Sequence, residues 1–325
     1  MSHDTYSICD VTIGVESSTT QQAERIQILW QRLFALQDVC SSAKSPSIWL
    51  QLKSTDHIPD QVFQENVVFE APGLRISNTV AGFYIQSEGS FLDLDLLHSR
   101  GVGYLADNFW GRPPQSQHSF FLRFFLMLLP RHGLYGLHAN GVVKDDLGCL
   151  IVGNSGHGKT TVTLSLIRQG WHYVSDDALM LGRTSLEIQA LAFRRWFACT
   201  QETVGYFPEL SLAVGEVWRT QDGKRTVDLK AIYPGQFTSR CKPRLLLFPQ
   251  ITEKSHSQLV PLDATRAMIA LLQQSPGLVA GQPVVSRQLD VLQQLVNQVS
   301  SYQLLLGRDV LYDPAAVEKL VKSAQ

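Results

Sequence analysis

Residues 153–160 read Gly153-Asn154-Ser155-Gly156-His157-Gly158-Lys159-Thr160 and match the pattern G-x-x-x-x-G-K-[ST] in full. An apolar run, Leu147–Val152, precedes them, and Thr161–Gln169 continues with helical spacing, which is the context that this pattern requires. Its glycines let backbone N–H groups converge on phosphate oxygens, and the following helix presents its positive end to the same anion. The sequence therefore predicts a phosphate-binding loop between a strand and a helix.

The type of each loop residue predicts what it contacts. We expect Lys159 to reach the β- and γ-phosphates of ATP and the Thr160 hydroxyl to bind Mg²⁺. We expect ATP to be contacted along the whole loop and at the residue after it, that is, by Gly153, Asn154, Ser155, Gly156, His157, Gly158, Lys159, Thr160 and Thr161.

Two adjacent carboxylates, Asp176 and Asp177, follow the apolar strand of His172-Tyr173-Val174-Ser175. Strand ends beside a phosphate loop are where metal ligands and catalytic bases lie in nucleotide enzymes. One carboxylate can hold the metal while the other accepts a proton from a hydroxyl nucleophile. Because side chains alternate along a strand, the two need not share a role.

Several other polar residues are candidates for the same site. His138 lies in a predicted strand over Tyr135–Val143, where a neutral imidazole near a carboxylate can orient it or tune its basicity. A cation from another loop often stabilises a transferring phosphoryl group. The cations that qualify are Lys224 and Arg225, in the predicted turn Asp222-Gly223-Lys224-Arg225, and equally Arg194 and Arg195.

In this order, His138, the Gly153–Thr160 loop and Val174-Ser175-Asp176-Asp177-Ala178 resemble the catalytic domain of bacterial HPr kinase/phosphorylase. The resemblance covers roughly residues 130–182 well and 183–250 loosely. It implies an α/β (α+β) fold shared with phosphoenolpyruvate carboxykinase, in which a P-loop lies in a core of mixed, largely antiparallel strands. The hairpin-rich pattern around the loop agrees with that fold.

The resemblance also implies residue roles. Lys159 and the loop amides would bind phosphate, and Thr160 and Asp177 would bind Mg²⁺. Asp176 would be the general base, with His138 supporting the acidic pair. The sequence lacks the family's G-L-G-I-I-N stretch, which is tied to the phosphorylase reaction, and it is more similar to divergent HPr kinase-related proteins, among them lasso-peptide kinases. The expected activity is ATP- and Mg²⁺-dependent phosphorylation of a serine hydroxyl on a protein or peptide.

A length of 325 residues suggests two domains. The Gly- and Pro-containing stretch Trp110–Pro114 predicts a boundary, which divides the chain into an N-terminal α+β domain (1–112) and the loop-containing catalytic domain (113–325). A helix from about Ser116 to Leu129, stopped by Pro130, would open the second domain. The sequence does not assign a role to the first domain.

Composition excludes several function classes. A net charge of −1 gives no support for nucleic-acid binding, and no apolar run approaches the ~20 residues of a membrane span. Five cysteines without a C-x-x-C pair (Cys9, Cys40, Cys149, Cys199 and Cys241) favour free thiols in a reducing, cytoplasmic setting. Two alternatives to a protein kinase stay open: a small-molecule (serine-type) kinase, and a nucleotide-binding regulatory protein with little turnover. Homo-oligomerisation also stays open.

Overall fold

The computed structural model of the chain describes residues 2–38, 45–55, 66–219, 223–276, 282–313 and 315–324. Cys40 and Asp222 lie outside these residues. The protein is a mixed α/β structure with several mixed sheets, and its chain divides into two compact units, Met1–Gly133 and Leu134–Gln325.

The first unit is built on a sheet with the strand order β3-β1-β2-β4-β9-β8-β7-β6-β5. The pairs β2–β4 and β4–β9 are parallel, and the others are antiparallel. Its elements are β1 (Ser2–Ile8), β2 (Val11–Ser17), α1 (Thr20–Leu33), β3 (Gln37–Asp38), β4 (Ile48–Thr55), β5 (Val67–Ala71), β6 (Leu74–Asn78), β7 (Gly82–Ser87), β8 (Ser90–Asp95), β9 (Arg100–Ala106) and α2 (Pro114–Leu128).

Local chemistry fixes where the two helices of this unit begin. The Thr19 hydroxyl accepts a hydrogen bond from the Gln22 N–H at the start of α1, which satisfies a donor that the helix itself leaves open. Helix α2 begins at Pro114, whose missing N–H costs nothing in the first turn. Both helices therefore start at residues that are favoured at those positions.

Helix α2 belongs to the first unit, whereas the sequence predicts a boundary near residue 112 and places this helix in the second domain. Its aromatic face explains the difference. The rings of Phe121 and Phe125 lie 5.4 and 5.1 Å from the Trp30 ring of α1, and all three side chains are fully buried. The core of the first unit thus includes α2, and the division falls after Gly133.

The second unit contains three sheets among the residues described. Their strand orders are β10-β14-β15-β19, β13-β11-β12-β20-β22-β21 and β16-β18-β17. Its elements are β10 (Leu134–Leu137), β11 (Ala139–Lys144), β12 (Leu147–Val152), α3 (Lys159–Arg168), β13 (His172–Ser175), β14 (Leu179–Arg183), β15 (Ile188–Ala192), β16 (Phe197–Cys199), α4 (Gln201–Tyr206), β17 (Val214–Arg219), β18 (Lys224–Val227), α5 (Leu229–Ile232), β19 (Arg240–Cys241), β20 (Pro243–Ile251), β21 (Gln258–Pro261), α6 (Ala264–Gln273), α7 (Gln282–Gln298), β22 (Ser300–Leu306) and α8 (Ala316–Ser323).

Most strand pairs of the second unit are antiparallel, and the pairs β12–β20 and β20–β22 are parallel. The β11–β12 hairpin turns at Asp145 and Asp146, which both have positive φ, as a two-residue hairpin turn requires. Strand β12 is buried along its whole length, and the inward face of α3 packs in the same core. This core holds the end of β12 and the start of α3 in fixed positions.

Two broader features follow from the fold. No helix in the described part of the chain is long and apolar enough to cross a bilayer. Of the four cysteines that the structure describes, Cys149, Cys199 and Cys241 are buried and none of the four is in a disulfide. Burial raises the pKa of each of the three buried thiols, so they are inert packing groups rather than nucleophiles.

Replacing Phe121 by Ala tests the assignment of α2 to the first unit. We expect this variant to lose about 3–5 kcal/mol of the unit's free energy of unfolding, because the change leaves a cavity beside Trp30. Denaturant unfolding followed by tryptophan fluorescence measures the loss. The control is Ile28→Ala on α1, a side chain that is 67% exposed and should cost little. Equal effects of the two changes would contradict the assignment.

Candidate active site

Strand register brings the separate sequence motifs together. Strand β11 lies between β12 and β13 and is antiparallel to both, so its beginning is next to both of their ends. Ala139 pairs with Val152, the last residue before the loop, and Gly141 pairs with Ser175, the last residue before the acidic pair. His138, the Gly153–Thr160 loop and the two aspartates therefore meet at one edge of the sheet.

The loop has the backbone conformation of an anion-binding turn. Gly156 and Gly158 both have left-handed φ values, +85° and +93°, and the chain then enters α3 at Lys159. Residues 154–157 are exposed, and the His157 N–H donates to the Asn154 carbonyl (3.3 Å) within the loop. The arrangement of strand, glycine-rich turn and helix N-terminus is the one that binds phosphate groups.

The Lys159 ammonium group is buried at the base of the loop, with 4% of the side chain exposed. Its Nζ donates to the carbonyl oxygens of Gly153 (2.8 Å) and Asn154 (3.3 Å). It also lies 3.3 Å from Asp177 Oδ1. The ammonium group thus lies between the glycine-rich loop and the acidic pair and is within interaction distance of both.

Asp176 and Asp177 occupy a tight turn between β13 and β14. The Ala178 N–H donates to the Asp176 carbonyl (2.7 Å), and Asp177 at the centre has φ of +58°, a conformation that a non-glycine residue rarely adopts. Such local strain persists only where surrounding contacts enforce it, and it concentrates at functional sites. The turn points the two carboxylates in different directions.

Asp176 points into the protein. It is 1% exposed, and its oxygens accept hydrogen bonds from Asn140 Nδ2 (2.9 Å) and the Ala198 N–H (3.1 Å). Burial, and next the charge of Asp177, raise the pKa of this carboxyl group. This geometry does not favour the expected role of Asp176 as general base, because both of its oxygens accept hydrogen bonds from protein donors and it does not line the cavity.

Asp177 faces the cavity. Its Oδ1 lies 3.1 Å from His138 Nε2 and 3.3 Å from Lys159 Nζ, and its Oδ2 lies 3.6 Å from the Arg194 guanidinium. Burial opposes ionisation, but the His138 hydrogen bond and the charges of Arg194 and Lys159 outweigh it and hold the pKa of Asp177 well below its usual range. Asp177 is therefore a carboxylate at neutral pH.

His138 lies at a break between two strands. The sequence predicts one strand over Tyr135–Val143, whereas β10 ends at Leu137 and β11 begins at Ala139, and the two join different sheets. The ring bridges Asp177 and Gln274, with Nδ1 2.8 Å from Gln274 Oε1. His138 thus contacts the acidic pair, as the resemblance implies.

A cavity of about 350 Å³ opens over the loop. Of the residues expected to bind ATP or the metal, it is lined by Asn154, Ser155, Gly156, Gly158, Lys159, Thr160, Thr161 and Asp177. Gly153, His157, His138 and Asp176 are not part of this lining. The rest of the lining includes polar and charged residues, among them Thr200, Glu202, Lys224, Glu253 and Arg308, and the apolar residues Ile251, Leu306, Val310 and Leu311.

The candidate cations divide into two groups. Lys224 lies at the cavity and donates from Nζ to Ser155 Oγ (3.0 Å), so a strand of another sheet contacts the loop. Arg194 stacks over the Trp196 ring at 3.7 Å and faces Asp177. Arg225 is exposed, and Arg195 lies over the Phe237 ring at 5.1 Å. Lys224 and Arg194 are therefore the two cations beside the site.

Several side chains of the site were not singled out from the sequence, among them Glu202 and Arg308 in the cavity lining and, beneath it, Asn140 and Gln274. Asn140 is fully buried; its Nδ2 donates to Asp176, and its Oδ1 accepts from the Asp177 N–H (2.9 Å). Gln274 links His138 to Asn154. Asn140 lies two residues after His138 at the start of a strand, a position from which it could have been found. Gln274 is distant in sequence and gives no such indication.

The glycines of the loop provide a test of its geometry. A Cβ on Gly158 would lie 2.6 Å from Leu306 Cδ1 in the cavity wall, whereas a Cβ on Gly156 would have no heavy atom within 4 Å. Both changes to Ala cost about 1–2 kcal/mol, because both φ values are left-handed. We expect Gly158→Ala to lower the free energy of unfolding further than Gly156→Ala does. Calorimetry and denaturant unfolding compare the two variants, and identical values would show that the loop does not pack on Leu306.

Comparison with known proteins gives a limited result. No protein-family model matches the sequence, and no curated protein matches it. One solved structure with a similar arrangement is that of the Hpr(Ser) kinase/phosphatase from Coxiella burnetii, at 15% sequence identity. The match covers 58% of this chain and 88% of that chain with a TM-score of 0.31. The similarity is a distant structural one.

Proposed function

We propose that the protein is an ATP- and Mg²⁺-dependent kinase that transfers the γ-phosphate to a serine hydroxyl of a protein or peptide. One observation carries the proposal: the Lys159 ammonium and the Asp177 carboxylate lie 3.3 Å apart in a cavity over a glycine-rich loop. A cation for the phosphate and a carboxylate for the attacking hydroxyl are the two charges that phosphoryl transfer needs side by side.

The loop and Lys159 would bind the triphosphate. The N–H groups of the loop and the N-terminus of α3 point their positive ends at it, and Lys159 would turn from the Gly153 and Asn154 carbonyls to the β- and γ-phosphates. Lys224, which contacts Ser155, would add a second positive charge at the same place. Negative charge that develops during transfer is thereby stabilised by groups already in position.

Residues present in the cavity fit a magnesium ion that is bound jointly with the phosphates. No cluster of three or more metal-ligating side chains occurs among the described residues, but Mg²⁺ usually takes only one or two carboxylates and completes its shell with phosphates and water. Thr160 and Glu202 offer a hydroxyl and a carboxylate at the cavity. These two residues would hold Mg²⁺, whose positive charge would help to neutralise the phosphates.

The proposal revises the expectation that Asp177 binds the metal. Arg194 lies 3.6 Å from its Oδ2, and this positive charge would repel a divalent cation even after Lys159 has turned to the phosphates. We assign Asp177 to the acceptor instead. As the serine oxygen bonds to the γ-phosphorus and the bond to the bridging oxygen of ADP breaks, the serine proton passes to Asp177.

The shape of the cavity supports the choice of substrates. Its apolar lining residues would contact the adenine base, and its volume of about 350 Å³ is near the lower limit of the ~300–1,000 Å³ typical of small-molecule sites. That space suits one nucleotide. The acceptor hydroxyl would then enter from the open side, as a side chain of a larger molecule can.

Replacing Asp177 by Asn tests the assigned base. We expect the rate of γ-phosphate transfer to fall by about 10²–10⁴, with ATP affinity retained, because the amide cannot take the serine proton. Asp176→Asn is the comparison variant: it should lower the free energy of unfolding by about 1–3 kcal/mol, since an amide cannot accept both buried hydrogen bonds. Because Asp176 helps Asn140 to hold the turn, its transfer rate should also fall, but much less than that of Asp177→Asn.

Transfer of radiolabel from γ-labelled ATP measures the rates of both aspartate variants, and the same assay with peptides, proteins and free serine identifies the acceptor. Transfer to free serine but to no peptide would favour the small-molecule kinase. Tight ATP binding without transfer to any acceptor would favour the regulatory protein. Absence of ATP binding in the presence of Mg²⁺ would refute the proposed function altogether.

The apolar residues of the cavity lining give a separate prediction about the adenine base of ATP. Ile251 lines it and is 62% exposed, so its replacement by Ser should not affect folding. We expect the Kd for ATP to rise about five- to tenfold through the loss of apolar contact with adenine. The Kd for inorganic triphosphate should rise less than the Kd for ATP. A parallel rise for both ligands would place the base elsewhere.

A further inference from the structure

Gln274 lies directly after helix α6, and all of its polar groups are engaged. It is 7% exposed. Its backbone N–H donates to the Leu271 carbonyl (3.0 Å), which ends the helix. Its backbone carbonyl and its side-chain amide both point toward the candidate site. The end of α6 is therefore fixed with a polar side chain directed at the phosphate loop.

The same residue holds His138 at two points. The Gln274 carbonyl accepts the His138 N–H (2.8 Å), which replaces the ladder bond that is lost where β10 and β11 separate. Gln274 Oε1 lies 2.8 Å from His138 Nδ1. With backbone and ring held by one residue, the imidazole has a fixed plane, and Nε2 is directed at Asp177 (3.1 Å).

The other end of the amide reaches the phosphate loop. Gln274 Nε2 donates to Asn154 Oδ1 (2.7 Å). Asn154 lines the cavity, and its carbonyl accepts from Lys159 Nζ. One side chain thus contacts both the loop that would bind the triphosphate and the histidine that supports the carboxylate.

We propose that Gln274 is a positioning residue that couples the phosphate loop to the His138–Asp177 pair. The inference rests on the proposed function, because it concerns the alignment of Asp177 with a nucleotide in the loop. Gln274 touches neither substrate. It sets the distance between the loop and the carboxylate, and displacement of a reacting group by about 1 Å costs up to ~10²-fold in rate.

Replacement of Gln274 by Met keeps the length of the side chain and removes both amide hydrogen bonds. We expect kcat for phosphoryl transfer to fall about 10- to 100-fold while the KM for ATP changes less than about twofold. The nitrogen chemical shifts of the His138 ring, measured by NMR of ¹⁵N-histidine-labelled protein, should also move, because Nδ1 loses its partner.

Gln298→Met is the matched control. Gln298 is the last residue of α7. Its side-chain amide makes three hydrogen bonds to the backbone of Ile188 and Pro243, and none of them involves the candidate site. This variant should lower the melting temperature and leave kcat and the His138 shifts unchanged. Gln274→Glu keeps an acceptor for His138 and loses the donor to Asn154, so it should recover the His138 shifts but only part of kcat.

The outcomes separate this inference from the proposed function. An unchanged kcat in Gln274→Met, or an equal loss of kcat in Gln298→Met, would overturn the positioning role. Absence of ATP binding by the wild-type protein would refute the kinase instead. The His138 shifts are measured without substrate, so a ring that does not respond to Gln274→Met overturns the coupling even in that case.

Discussion

Asn140 imposes the constraint on which the candidate site depends. Its amide donates to the Asp176 carboxylate and accepts the Asp177 N–H, so one buried side chain holds the whole acidic turn. The left-handed conformation of Asp177 costs free energy, and these hydrogen bonds, strong because Asn140 is fully buried, offset it. The consequence is a separation of roles: Asp176 becomes part of the core, and Asp177 is presented to the cavity.

Charge balance then explains why Asp177 stays ionised beside a buried lysine. Lys159 and Arg194 are almost fully buried, and a buried charge persists only with a partner. Asp177 lies between them and serves as partner to both. A triphosphate entering the loop would bring negative charge that takes Lys159 from the carboxylate. The ion pair thus places a cation and a carboxylate side by side before any ligand binds.

The sequence predicted the structural features that depend only on residues close together in the chain. The strand, glycine-rich turn and helix around Gly153–Thr160 are present, as is the hairpin turn at Asp145 and Asp146. The sequence did not predict the break between strands at His138. Strands β10 and β11 are both buried and apolar, so their pattern predicts one continuous strand. The division between the units falls after Gly133 rather than near residue 112. The sequence could not show this, because the residues that bury the aromatic face of α2 are distant in the chain.

The orientation of the two aspartates could not be predicted from the sequence. Counting alternate residues along β13 would give the direction of each side chain only if the strand were regular. Its register against β11 shifts between Gly141 and Val142, where Ser175 and Tyr173 pair with successive residues. A bulge of this kind reverses the alternation and often redirects a side chain next to a functional site. Because the bulge is a property of the pairing, no reading of β13 alone could have shown which carboxylate enters the cavity.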